Sequence, residues 1–116
     1  DRTVLIEFFA DPDVRIIEEM GAGRTRPIVS MEIKGGTDAS NVHNRLGEAE
    51  KSHQKAKDLG FMQFWTILRA PVNESQARID SPTTTHFFDL NDITDNSTQA
   101  HKDFCELLAS LIGIRA

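Results

Sequence analysis

The chain has 116 residues, 39% of them apolar and 27% charged, which is enough for one domain around a single buried core. Thirteen Lys and Arg against eighteen Asp and Glu leave a formal net charge of −5, so any contact with nucleic acid must come from a local basic patch rather than from overall charge. One cysteine excludes a disulfide framework within the chain and suits a reducing cytoplasm; no signal peptide, membrane-length apolar run or internal repeat is recognisable.

Residues 3–9 (TVLIEFF) carry two conflicting periods: apolar residues at 4, 5, 8 and 9 suit a helix, while β-branching and alternation at 4, 6 and 8 suit a strand. The segment is expected to form the last turns of a helix, with Glu7 solvated. Residues 11–36 (DPDVRIIEEMGAGRTRPIVSMEIKGG) read as a β-hairpin. Pro12-Asp13 opens a run rich in β-branched residues, the Gly-rich GAGRTR makes the turn, and Pro27 opens a second run that closes on Glu32-Ile33-Lys34.

Because side chains alternate faces along a strand, Asp13, Arg15 and Ile17 share one face and Val14 and Ile16 the other. On the return strand Ile28, Ser30, Glu32 and Lys34 share a face, opposite Val29, Met31 and Ile33. A register pairing Asp13 with Glu32 also pairs Val14 with Met31, Ile16 with Val29 and Ile17 with Ile28, so hydrophobic matching brings the two carboxylates together beside Lys34. Two carboxylates so close raise a pKa or demand a cation. Mg²⁺, which takes a few carboxylates plus water and phosphate oxygens, suits such an open-ended site; Lys34 would orient or deprotonate a water, or neutralise charge developing on a phosphate.

Gly35-Gly36 allow a sharp turn, and Asp38 or Ser40 is expected to cap a helix running to about residue 59 and ended by Gly60. Its buried stripe is Val42, Leu46, Ala49, Ala56 and Leu59; its remaining faces carry Asn41, Asn44, Arg45, Glu48, Lys51 and Lys55. His43, Arg45, Lys51, His53, Lys55 and Lys57 form a local cationic excess against Glu48, Glu50 and Asp58. Residues 61–69 (FMQFWTILR) read as a buried strand with Trp65 in the core, parallel to residues 28–34 through a βαβ crossover. Residues 71–85 read as a loop, and 86–93 (HFFDLNDI) as a further strand. Ser97 or Thr98 caps a last helix through Ile112, with His101, Phe104, Cys105, Leu108, Leu111 and Ile112 inward. Cys105, lying on that stripe with no adjacent base, does not read as a thiol nucleophile, and the four His show no metal-ligand spacing.

Pro12-Asp13, eighteen residues, then Glu32-Ile33-Lys34 resembles the PD-(D/E)XK nuclease motif, whose two acids hold metal and whose lysine is catalytic. More specifically, residues 31–57 (MEIKGGTDASNVHNRLGEAEKSHQKAK) resemble the XcyI-like type II restriction endonucleases, associated with cutting within CCCGGG. The resemblance implies catalytic roles for Asp13, Glu32 and Lys34, with Mg²⁺ held by Asp13 and Glu32. It also makes Glu7 a secondary metal-site acid, and Glu48 another, because some relatives carry such an acid fourteen residues after the lysine. Double-stranded DNA would be the partner and a homodimer the form of the full enzyme. The chain begins with Asp and is much shorter than such enzymes usually are, so residues 1–116 are expected to be one nuclease-core domain, a fragment of a longer enzyme.

The expected fold is therefore α/β, a mixed central β-sheet flanked by helices in a restriction-endonuclease-like core. The expected activity is Mg²⁺-dependent DNA hydrolysis in the cytoplasm. Asn41, Asn44 and Arg45 are candidates for reading base edges, and Lys51 and Lys55 for DNA contact. The two-Arg signature of some CCGG-cutting relatives is absent, the matching positions holding Asp38, Ser40 and Asn41. The alternatives are a structure-selective repair or junction nuclease, and a non-catalytic DNA-binding domain that retains the nuclease fold.

Overall fold

The computed structural model describes residues 2–9, 12–35, 41–71 and 73–113. In chain order these form β1 (Thr3–Phe8), β2 (Val14–Gly21), β3 (Arg24–Lys34), α1 (Val42–Asp58), β4 (Gln63–Leu68), α2 (Glu74–Asp80), β5 (His86–Asp89), α3 (Leu90–Ile93) and α4 (Gln99–Ile112). The five strands make one sheet in the order β1-β2-β3-β4-β5, antiparallel across β1, β2 and β3 and parallel across β3, β4 and β5. The protein is thus α/β with a mixed sheet flanked by helices, as the sequence predicts.

The hairpin turns at Ala22-Gly23, both with positive φ, which gives the backbone the twist that a two-residue loop needs between right-twisted strands. Val14 faces Met31 and Ile16 faces Val29 as expected, but Ile17 pairs with Pro27 rather than Ile28. A bulge falls there because Pro27 has no N–H for the ladder. It turns Ile28 into the same buried cluster as Val29, away from the face assigned to it by strict alternation. Pro27 also lies inside β3 and does not open it.

One sheet face, with Val14, Ile16, Val29, Met31, Trp65 and Ile67, packs against Phe104, Leu107, Leu108 and Leu111 of α4. Trp65 is fully buried, edge-on to Phe88 and Phe104, as core and not a stacking platform. The opposite face meets α1 and α2 through Leu46, Leu68 and Ala77, and through Ala56, Phe61, Phe64 and Ile17. The crossover helix ends as expected. Gly60 (φ +96) donates to Lys57 and Phe61 to Ala56, satisfying two end carbonyls, and Phe61 packs with Ala56 below the turn.

Four expectations are corrected. Residues 3–8 are a strand, not a helix, because the free edge of β2 offers a ladder along its whole length, from Thr3 opposite Glu19 to Phe8 opposite Val14. The expected loop at 71–85 contains α2, whose N-cap Asn73 accepts a hydrogen bond from the Gln76 amide. The strand at 86–93 stops at Asp89, which caps α3 by accepting from the Asn91 amide. Cys105 is exposed while Leu107 turns inward. At the start of α1, Asn41 takes the N-cap position without a side-chain capping bond, and the expected caps Asp38 and Ser40 lie outside the described residues. Thr98 caps α4 through the His101 amide, as the sequence predicts.

Candidate active site

The site forms where β2 begins, β3 ends and α1 crosses over them. Asp13 stands just before β2, and its Oδ2 accepts a 2.8 Å hydrogen bond from the main-chain N–H of Ile33. That bond fixes the carboxylate beside the strand that carries Glu32 and Lys34. Glu32 points to the α1 face and is 3% exposed. It is hydrogen-bonded both to Asp13 and to the Ser52 hydroxyl of α1. Lys34, two residues on and on the same face, places Nζ 3.5 Å from Glu48 Oε2 of α1. The structure therefore brings together Asp13, Glu32 and Lys34, and adds Glu48 at their edge as the partner of Lys34.

The electrostatics follow from burial. Glu32 is pushed up to about 7, first by loss of solvent and then by the hydrogen bond and negative charge of Asp13; the Ser52 hydroxyl and the Lys34 charge act in the opposite direction. An acid pair that must share a proton when alone is a fitting site for a hard cation, which would replace that proton and draw on both carboxylates. Among the described residues no group of three or more His, Cys, Asp and Glu is placed to hold a metal ion; the carboxylates in contact here are Asp13 and Glu32. Glu7 is engaged elsewhere: its Oε1 accepts a 3.0 Å bond from Arg15, the residue facing it across the β1–β2 ladder.

Along α1, Asn44, Lys51 and Lys55 are exposed together with Glu48, and Arg45 is half-buried. Their spacing puts Asn44, Glu48, Lys51 and Lys55 on one stripe of the helix, continuous with the Lys34 contact. Asn41 is exposed at the helix start. His53 leaves the expected cationic set. It is fully buried, held down to about 4 by loss of solvent, and bonded through Nε2 to Thr66 at 2.8 Å. A buried chain continues from Thr66 to Thr84, Ser81 and Glu50. Burial would raise the Glu50 carboxyl, but hydrogen bonds from Thr83, Gln54 and Ser81 outweigh it and hold it below the usual carboxylate range.

Sequence reasoning offered Ser52 only as a partner of Glu48 on a solvated face and missed its contact with Glu32, for which a serine four positions after Glu48 carries no signal. It also missed the 2.8 Å pair of His43 Nδ1 with Asp80 at a cleft of about 390 Å³ between α1 and α2. Cys105 does have a base beside it, since His101 Nε2 lies 3.6 Å from Sγ and Nδ1 is bonded to the Ile93 carbonyl.

A mixed sheet whose antiparallel hairpin carries two acids and a lysine under a crossover helix agrees with the nuclease core that residues 31–57 resemble. A model of the XcyI restriction endonuclease family matches residues 1–115, and the chain belongs to that family. Over 116 residues it is 44% identical to the type II restriction enzyme Cfr9I of Citrobacter freundii and 46% identical to the type II restriction enzyme XcyI of Xanthomonas campestris pv. cyanopsidis. Each match takes in 99% of this chain and 35% of the relative, so the chain spans about a third of the length of these relatives. No solved structure matches it.

Proposed function

We propose that this domain is the catalytic core of a Mg²⁺-dependent type II restriction endonuclease that hydrolyses DNA phosphodiester bonds, at a CCCGGG-like site. The observation that carries the reading is the convergence of Asp13, Glu32 and Lys34 at one end of the sheet in a chain of this family. Asp13 and Glu32 would hold the cation, which when bound supplies charge neutralisation at the scissile phosphate. Asp13 is held in place by the Ile33 amide, and Glu32 by Ser52, so both carboxylates are oriented before substrate arrives. Lys34 orients or deprotonates the attacking water and offsets negative charge as the phosphorus–oxygen bond breaks. Its tie to exposed Glu48 is a surface contact and would yield readily to a phosphate. The exposed stripe of α1 supplies DNA contacts through Lys51 and Lys55, with Asn41, Asn44 and Arg45 toward base edges. A homodimer matches a palindromic site, one copy for each strand.

The test is cleavage of a plasmid with one CCCGGG site, with and without Mg²⁺. Discrete products that need the metal support the reading; a smear supports a structure-selective repair nuclease, and intact plasmid with a gel shift supports a non-catalytic DNA-binding domain. Asp13→Asn and Glu32→Gln keep shape but remove the charge a hard cation needs, and should abolish cleavage without loss of DNA binding. Lys34→Ala should cost on the order of 10²-fold in rate, as other transition-state electrostatic groups do. Full cleavage by well-folded Glu32→Gln sinks the assignment.

A further inference from the structure

Glu48 and Ser52 are four residues apart on α1, hence on one face of the helix, about 6 Å apart along its axis. Lys34 and Glu32 are two apart on β3, on one face of the strand, at a spacing of roughly 6.6 Å. The two repeats nearly match. Because the helix returns over the strand it follows, Glu48 meets Lys34 and Ser52 meets Glu32 as two successive rungs. Ser52 is 8% exposed and Glu32 3%, so water has little access to the carboxylate from the helix side.

We propose that Ser52 is a positioning residue, whose hydroxyl holds one side of the Glu32 carboxylate so that the other side faces Asp13 and the cation the two would share. A nearly buried carboxylate needs donors for its oxygens. Without Ser52 the carboxylate could rotate away from the position in which one side is held by the helix and the other faces Asp13. A hydroxyl on a rigid helix prevents that rotation more firmly than a loop or a water would, and second partners of this kind commonly change metal affinity 10- to 100-fold. The inference rests on the proposed roles of Asp13 and Glu32.

The experiment measures Mn²⁺ binding by the electron paramagnetic resonance of the free ion, without DNA, on the whole chain. Wild type, Ser52→Ala, Ser52→Thr and Glu32→Gln are compared, with melting temperature and far-UV circular dichroism as the check of fold. Ser52→Ala should bind Mn²⁺ about tenfold more weakly at an unchanged fold, and Ser52→Thr, which keeps the hydroxyl, should return most of that loss. A purely structural serine would shift melting and leave the Mn²⁺ affinity alone. If Ser52→Ala does not fold, Ser52→Cys keeps the volume with a weak donor and is held to the same expectation. Unchanged affinity in the Ser52 variants while Glu32→Gln loses the ion overturns the role of Ser52 and spares the site. Unchanged affinity in Glu32→Gln as well overturns both.

Discussion

Glu32 combines near-complete burial with a carboxylate neighbour, and this shapes how the protein responds to pH. Its native pKa of about 7 lies above the value of 4.5 for an unperturbed Glu, so between those two values the native state holds a proton that the unfolded chain has lost. Stability therefore falls as pH rises through that window; the penalty is absent below it and complete above it. Glu32→Gln, which cannot ionise, should flatten this slope and stabilise the metal-free protein at pH 8 relative to wild type, read from urea midpoints across pH 4 to 8. A wild-type curve as flat as the variant's would contradict the burial argument. The pairing of Asp13 with Glu32 was legible because alternation and hydrophobic matching constrain a hairpin strongly. Ser52 was not, because a serine on a helix carries no periodic signal until the helix is docked on the sheet.

The elements themselves were read best where local chemistry and packing agree. Gly60 is such a case, since the left-handed residue, the two end bonds and the Phe61–Ala56 contact act together. A Cβ at Gly60 has space, its nearest neighbour being Pro27 Cγ at 3.9 Å, so Gly60→Ala tests the backbone alone. The change should cost about 1 kcal/mol, seen as a lower melting temperature with the spectrum of the native state unaltered. β1 misread for the opposite reason. Its pattern fits two periods, and the deciding factor, an open edge on β2, belongs to the sheet and not to residues 3–8. α2 was missed because Asn73, Glu74 and Ser75 resemble loop residues until Asn73 is seen capping Gln76.

At the scale of the whole molecule, a net charge of −5 must coexist with a polyanionic partner. The uneven placement of charge accommodates this: Arg26 is tied to Glu18 at the hairpin end and His53 is buried and neutral, while Lys51 and Lys55 stand on the exposed side of α1. Replacing Arg45, Lys51 and Lys55 by Ala should weaken binding to a CCCGGG duplex and reduce the slope of log K against log salt by roughly two, about one for the phosphate contact of each lysine. Arg24→Ala with Arg26→Ala, at the far end of the hairpin, should leave both nearly unchanged. Equal effects from the two sets, measured by fluorescence anisotropy over a salt series, would place DNA on another face. The basic character of this helix was visible in the sequence, but the withdrawal of His53 from it required the sheet, since only Thr66 and Phe64 of β4 show where that ring goes.

The bond from Ile33 N–H to Asp13 has a practical side. Ile33 is 37% exposed, so its amide proton owes much of any shelter from solvent to that single carboxylate oxygen. A ligand drawing electron density from Asp13 would lengthen the bond and move the amide resonance. The ¹⁵N–¹H signal of one residue thus becomes a gauge of what occupies the acids, readable on the resting protein before any strand of DNA is added.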